Sequence, residues 1–564
     1  MKRITILLTV FSLVFFGAFR QIGAAEGPRS AAPDASYYFI RGYAAEMSHD
    51  WAGAEEFYRK AIELDPSSVY LKVQLAYVLL RIGNTSGVMD ITDSILKDNP
   101  DNVPALKLKA ELFKDRKQYR EAALTYERLA ELEPGNNDLL FMAGVLYYYS
   151  EESDRAVAVL EQLIKKDPDA FRAMDLLGSL YIDRRDYDRA ETYLRRAIEL
   201  RSNLDSAHFK LGIVLESKGN MDEAIKQYEE AVRLNPYNSQ MRQKLAQAYL
   251  KQNSPEKAID QLKAVNKHSP DNADIHIKLG LIYFEGKQFD KAVEELLVAL
   301  SMQPSSSSIL YYLSLVYEET GKYDEAESAL RQVISLEPSN INAFLHLAYV
   351  YGKQKRDEDA VKAYEEILAF EKERPEIYQY YANTLIQLKR YEKADTVLKD
   401  AIARFPNNDE LLFAYAVLND KTGRFDDMVK YLEKAISLNP ENAEALNYLG
   451  YSFADRNIRL EEALSLIRRA VGIKPDNAYY IDSLGWTYFR MGNLEKAEDA
   501  LTRAVAIAGD DPTLYEHLGD VYAAMGKRDK ALESWKMSLK FHEKEEGLKG
   551  RVEKKIGDLS TDRK

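Results

Sequence analysis

The 564-residue sequence contains no cysteine. That absence excludes a disulfide framework, a thiolate metal site and a cysteine nucleophile, and it leaves no cysteine behind the N-terminal segment to carry a lipid anchor. Histidine is scarce as well. The seven residues His49, His208, His268, His276, His346, His517 and His542 are scattered, with no pair at the one-turn spacing that metal ligation on a helix uses. A glycine-rich phosphate loop and a nucleophile elbow are both missing, so the sequence calls for no cofactor and no metal. Positive charge is in deficit, with a formal net charge of -13 and no basic stripe to offset it. Phosphate backbones and anionic lipid are repelled by such a surface, which excludes nucleic acid as a partner. The acidic excess reads first as solubility and second as affinity for a basic ligand.

Proline is sparse too, and its placement is informative. Of 17 prolines, eleven share one 34-residue register: Pro66, Pro100, Pro134, Pro168, Pro236, Pro270, Pro304, Pro338, Pro406, Pro440 and, after one inserted residue, Pro475. Alanines shadow the register twelve residues upstream, among them Ala54, Ala122, Ala156, Ala190 and Ala224. A fixed period of this length means a solenoid whose units bury their apolar faces only against neighbours.

With Ala35 as position 1, fourteen units of 34 residues and one of 35 run to Glu545. Position 8 is always small, as at Gly42, Gly144, Gly178, Gly212, Ala246, Gly280, Ser314, Gly450, Gly485 and Gly519. Together with the alanine at position 20 it allows two helices to cross closely. Position 11 is usually aromatic (Tyr147, Tyr181, Tyr249, Tyr283, Tyr351), and apolar residues at positions 7, 24 and 27 complete a helical core face. Proline at position 32 ends the second helix, because it lacks an amide proton and pushes its predecessor out of the α region.

Each unit is therefore helix, turn, helix, stop, and on these residues it resembles the tetratricopeptide repeat. The resemblance implies an all-α fold: a right-handed superhelix of about fifteen helix-turn-helix repeats over residues 35–545, with a capping helix behind it. Leu548, Val552, Ile556 and Leu559 supply the apolar spacing for that helix in the tail, 546–564. Some units depart from the pattern. Val88 and Met428 replace the alanine, and Ser202, Lys372 and Gly509 replace the terminal proline, so those junctions are expected to repack or, as the alternative, to bend the stack.

Ahead of the repeats, Lys2 and Arg3 precede the apolar run Ile4–Phe19, then Arg20 and Gly23-Ala24-Ala25. This order describes a bacterial-type secretory signal over residues 1–25, cleaved after Ala25, followed by a flexible leader at 26–34; the alternative is an uncleaved anchor, for which the run is short of the about 20 apolar residues that a span needs. Its removal takes away three positive charges and leaves an exported, soluble mature chain near -16, held in the periplasm or cell envelope by any partner it has. No other stretch is apolar enough to cross a membrane.

The repeats leave no room for a catalytic domain, so the chain is read as a non-catalytic scaffold or adaptor. Adjacent acids such as Glu318 and Glu319 read as a solvated helix face rather than a catalytic pair. In the family that the units resemble, positions 2, 5, 9, 12 and 13 of the first helix line an inner groove that binds protein or peptide partners. Carried onto this chain, those positions give the candidate groove residues Phe39, Tyr43, Tyr77, Phe141, Tyr148, Tyr149, Phe284 and Tyr311, and, near the C-terminus, Asn447, Tyr451, Asp455, Tyr479, Asp482, Trp486 and Phe489. Tyr70 and Leu281 belong to the same set. Aromatics are expected to anchor the partner, with carboxylates as polar contacts.

The family's carboxylate clamp is incomplete: Lys107 at position 5 faces Glu111 at position 9, and Asn383 at position 9 follows Gln379. Segment 443–522 resembles a module of large bacterial envelope tetratricopeptide proteins, some of which are lipoprotein adaptors for a processing protease and its substrates. The missing lipid cysteine departs from that pattern. Asp455, Arg456, Asp482 and Trp486 read equally as a structural device around the inserted residue. Two other functions stay open: a scaffold for polysaccharide export, with groove aromatics stacking on sugar, and a cryptic enzyme.

Overall fold

The structure, a computed structural model, describes residues 33–545 and 547–561. The expected signal, and all of the leader except Pro33 and Asp34, lie outside the described residues. Among the described residues there are 31 α-helices, one short 3-10 turn and no strand. First helices begin at Ala35, Val69, Val103, Asn137 and onward every 34 residues to Asp409 and Ala443, then at Ala478 and Pro512. Each second helix begins sixteen residues after its first, as Trp51 does after Ala35; in the repeat that opens at Ala443 the interval is seventeen, to Leu460. The extra residue therefore lies in the turn that follows Asp455.

Local chemistry explains these boundaries. The side chains of Asn102 and Asn340 accept from the amides of Ala105 and Ala343 at 3.0 Å and open first helices. At the other end, Asp65 and Asn235 precede prolines and leave the α region, with φ/ψ of -134°/78° and -131°/75°. Arg201, which precedes Ser202, has φ/ψ of -148°/91° without a proline. The stop thus survives the lost proline. Val88 and Met428 are both fully buried in place of alanine, and the helices that carry them start in register at Thr85 and Phe425. Those junctions repack.

Position 15, in the turn between the paired helices, takes positive φ throughout. It is 61° at His49, 58° at Lys117 and 57° at Asn457, and glycine serves at Gly83, Gly219, Gly321, Gly423, Gly492 and Gly526. A left-handed residue lets the chain reverse in three residues, and only glycine does so without strain. Gly423→Ala is expected to cost about 1 kcal/mol, read as a lower urea midpoint.

Close crossing is carried by positions 8 and 20. Ala54, Ala122, Ala190 and Ala258 are fully buried, and a Cβ added at Gly450 would lie 2.6 Å from Ile467 Cγ1 and 3.0 Å from the Ala463 carbonyl. Many tyrosines act as struts. Tyr147 and Tyr181 are fully buried and donate their hydroxyls to Glu127 and Glu161 of the preceding second helix. Tyr58 and Tyr228 donate back to Glu46 and Glu216 at 2.8 and 2.7 Å. Burial, reinforced by those carboxylates, pushes both phenols well above their usual value.

The described residues form two compact units, one up to Pro270 and one from Asp271. Within each, several first helices pack on the first helix of a neighbouring repeat, as Ala478–Arg490 does on Ala443–Asp455 and Asp205–Ser217 on Phe171–Asp183. Neighbouring second helices do not pack on one another in this way. The first helices therefore lie on the inside of each unit's curve. The last helix, Leu548–Thr561, buries Leu548 and Val552 beside Trp535. Its Arg551 and Lys555 reach Glu516 and Asp520, each 35 residues back, the same separation that joins Lys210 to Asp175. It stands where the first helix of a further repeat would stand, and turns a charged side outward.

Candidate functional site

The first helices Ala443–Asp455, Ala478–Arg490 and Pro512–Ala524 bring one group of the candidate residues together. The indole of Trp486 stacks on His517, with centroids 4.2 Å apart and planes at 21°, and meets Phe489 at 5.1 Å on the same helix. His517 Nδ1–H donates to both carboxylate oxygens of Asp482, at 2.9 and 3.0 Å. Burial alone would push this imidazole down, but the Asp482 carboxylate, backed by Asp520 and Glu516, outweighs it and holds His517 above its ordinary value. The pairing favours the protonated form of the imidazole beneath the tryptophan.

Around it lie further polar groups. Burial, then the carboxylates of Asp455 and Asp482, push the Tyr451 phenol well up, which keeps its hydroxyl as a neutral donor. Burial raises Glu516 less than Arg551 and Lys555 lower it, so its carboxylate sits below the usual range. Asp520 is held above that range by burial, although Lys555 reaches it at 2.6 Å and the Trp535 indole N–H donates to it at 3.1 Å.

Three buried polar atoms in this place have no hydrogen-bond partner among the described residues: Asn447 Oδ1, Trp486 Nε1 and Arg490 Nε. The described chain has seven such atoms in all, so nearly half of them fall on two adjacent helices. A buried polar group left unpaired costs about 1–3 kcal/mol, and this site holds one acceptor and two donors in that condition. Arg490 lies 6.0 Å from the Trp486 ring and forms no ion pair among the described residues. Sequence reasoning missed Arg490. The available signal was its position, 13, which Asp455 occupies in the preceding repeat.

Other candidates fall elsewhere. Phe39 and Tyr43 stack at 6.3 Å beside Tyr70, and Tyr43, Tyr70 and Tyr77 are exposed on repeats 1 and 2, so the first unit carries its own aromatic patch. Phe141 is half-buried under the Arg172 guanidinium, 4.3 Å away. Tyr149 is exposed between Tyr119 and Tyr148, and burial followed by the nearby Asp183 raises the Tyr148 phenol. Phe284 packs on Phe289 at 6.0 Å, and Tyr311 meets the edge of His346 at 5.4 Å. Tyr479 is exposed, as is Asp455.

Two expectations need correction or division. Glu318 is not on a solvated face: its side chain is 8% exposed and accepts from His346 Nδ1–H at 2.9 Å. The four residues read as a device around the inserted residue separate. Arg456 is structural, bonded to Asp420 at 3.0 Å and lying over Phe425 at 4.6 Å, whereas Asp482 and Trp486 belong to the site above. The extra turn residue is absorbed by Arg459, left-handed at φ 48° and paired with Glu462.

Among the described residues no helix is long and apolar enough to cross a membrane, and no group of three or more His, Asp or Glu is placed to hold a metal.

Models of the tetratricopeptide repeat match residues 46–112, 420–478 and 478–511. Between them, models of the tetratricopeptide repeat protein 21 C-terminal ARM domain and of the cilia and flagella-associated protein 70 C-terminal domain match 102–279 and 238–424. No curated protein is similar in sequence. Similar solved structures include the APC/C hetero-tetramer Cut9–Hcn1 (16% identity, 80% of this chain and 96% of that one, TM-score 0.37). Yeast Tom70 is similar over 76% and 96% of the two chains at 16% identity and TM-score 0.38. YrrB, described as a tetratricopeptide protein with an unusual peptide-binding site, covers 33% of this chain and 95% of its own at 18% identity and TM-score 0.30. Such repeats generally mediate protein–protein interaction and are typically non-catalytic. The repeat models, with paired helices that recur every 34 residues, support membership of the tetratricopeptide repeat family.

Proposed function

We propose that the chain is a non-catalytic scaffold of the bacterial cell envelope whose first-helix face at repeats 13 to 15 holds a peptide segment of a protein partner. The observation that carries this reading is the presence of three unpartnered buried atoms, on Asn447, Trp486 and Arg490, on two first helices that pack together. A peptide group offers what they lack, an N–H for Asn447 Oδ1 and a carbonyl for the two N–H donors, so its binding relieves a cost already present in the free protein. Tyr451 and Phe489 flank these atoms and supply contact area. A sugar ring would need the open face of an aromatic, and the Trp486 ring is already engaged by His517 and Phe489. Export rests on the N-terminal signal pattern, and an adaptor role toward a processing protease or its substrates rests on the resemblance of segment 443–522.

The test is a photo-crosslinking amino acid placed in turn at Tyr451, at Phe489 and, as control, at Glu433 on a second helix. Adducts with protein are expected at the first two positions and not at Glu433, and they should disappear in the Asn447→Ala, Trp486→Ala double variant. Equal adducts at Glu433, or adducts that survive the double variant, would sink the proposal.

A further inference from the structure

A second place on the first-helix face of the same unit does not depend on the site just described. Across repeats 9 to 11 a cavity of about 590 Å³ is lined by Glu318 and Glu319, Tyr323, Leu345 and His346, and Tyr349 and Tyr380. All but Tyr323, which opens the second helix of repeat 9, come from three successive first helices, Ser307–Glu319, Ile341–Lys353 and Pro375–Gln387. Tyr349 and Tyr380 are 49% and 47% exposed. Large rings left half wet on the inner side of a curve are costly surface unless something covers them.

The repeats themselves indicate what is missing. Glu318 stands at position 12 of its repeat. At the same position Glu216 is met by Lys251 and Lys244 of the next repeat, at 2.7 and 3.1 Å, and Asp420 by Arg456 of the next repeat at 3.0 Å. In repeat 10 the counterpart of Lys251 is Lys353, and it lies over the Tyr349 ring at 5.1 Å without pairing to either glutamate. Glu318 is instead held by His346 Nδ1–H, and the His346 ring is braced edge-on against Tyr311 with planes at 86°. Neighbouring Glu319 is exposed and makes no ion pair among the described residues. The place where two other repeats seat a lysine or an arginine is here an open cavity with two carboxylates and three tyrosine rings.

We infer that this cavity takes the cationic side chain, arginine or lysine, of a partner polypeptide. Carboxylates supply the charge, and tyrosine faces favour a cation within about 6 Å. The formal charge of -13 on the whole chain draws such a group toward it.

The probe is a fluorescein-labelled hexapeptide of alternating glycine and arginine, with lysine and with neutral citrulline versions, titrated into the full chain and read by anisotropy. The arginine and lysine peptides should bind, more weakly at high salt, and the citrulline peptide at least about tenfold more weakly still. Glu319→Gln and Tyr380→Ala are each expected to weaken the arginine peptide about five- to tenfold, while Glu433→Gln leaves it unchanged. Circular dichroism confirms that each variant is folded, and both substitutions spare the Glu318–His346 pair. Equal binding of citrulline, no effect of either cavity substitution, or equal weakening by Glu433→Gln would overturn the inference. Weakening by Trp486→Ala alone would place the peptide at repeats 13 to 15, defeating this inference while leaving the proposed function standing.

Discussion

Asp482→Ala is expected to destabilise the C-terminal repeats by about 3 kcal/mol and to reverse the sign of their pH dependence. Asp482 is 6% exposed and His517 7%, so removing the carboxylate strands an imidazole that water cannot reach. In the native protein His517 titrates above its unfolded value of about 6.5. The group binds its proton more tightly folded than unfolded. Its contribution is therefore complete below about pH 6.5 and is lost as pH rises through the folded value. Without Asp482, burial, the largest single influence on this imidazole, is opposed only by Asp520 and Glu516 and is expected to push it down. Stability should then fall as pH drops below about 6.5, because the unfolded chain takes up the proton more readily. The Asp520 carboxyl, also held above its usual value, has the native sign and is present in both proteins. Urea unfolding followed by tryptophan fluorescence suits the measurement, since Trp486 and Trp535, two of the three tryptophans, lie in these repeats. The same pH slope in both proteins would show that the pair is not what sets it.

Gly519→Ala is the second large effect. A Cβ there would fall inside the van der Waals envelope of Trp535 Cδ1 and Nε1, so the indole must move. Its movement also breaks the N–H bond to Asp520 and loosens the seat of the capping helix, since Leu548 and Val552 pack in the same cluster. The expected cost is about 2 kcal/mol, within the range for overpacking. Elsewhere the same two positions, sixteen residues apart, are held by Ala246 and Leu262, Ala382 and Leu398, and Ala416 and Leu432, all buried. In the Gly519→Ala background, Trp535→Leu should therefore cost much less than it does alone, with a coupling of about 1 kcal/mol or more in a double-mutant cycle. Additive losses would mean that the glycine is not there to admit the ring. Because a solenoid opens locally from its ends, both experiments read the last repeats rather than the whole chain.

Much of the fold was legible because a solenoid solves the same local problem fifteen times. Proline stops, small residues at positions 8 and 20, and the aromatic at position 11 mark the helices and their crossings without any long-range information. The candidate site was legible only in part. Position numbers place Asn447, Tyr451, Asp482 and Trp486 on one face, but Tyr147 at position 11 and Tyr148 at position 12 differ by a single residue, and one is a buried strut while the other stays half-exposed. Arg490 was overlooked because an arginine at position 13 looks like any other surface charge. What distinguishes it is the lack of a partner, which no single repeat can reveal. Glu318 misled for the same reason: it became buried through His346, 28 residues away.

The sequence by itself determined the period, the helix pairs and which residues share the inner side, because these depend on contacts within one unit and with its immediate neighbours. Tertiary structure alone decided which polar groups on that side are spent and which are left. The pairing that settles the matter joins side chains 20 to 35 residues apart, as in Tyr181–Glu161 and His517–Asp482. A donor or acceptor is free for a partner only where that second residue is missing.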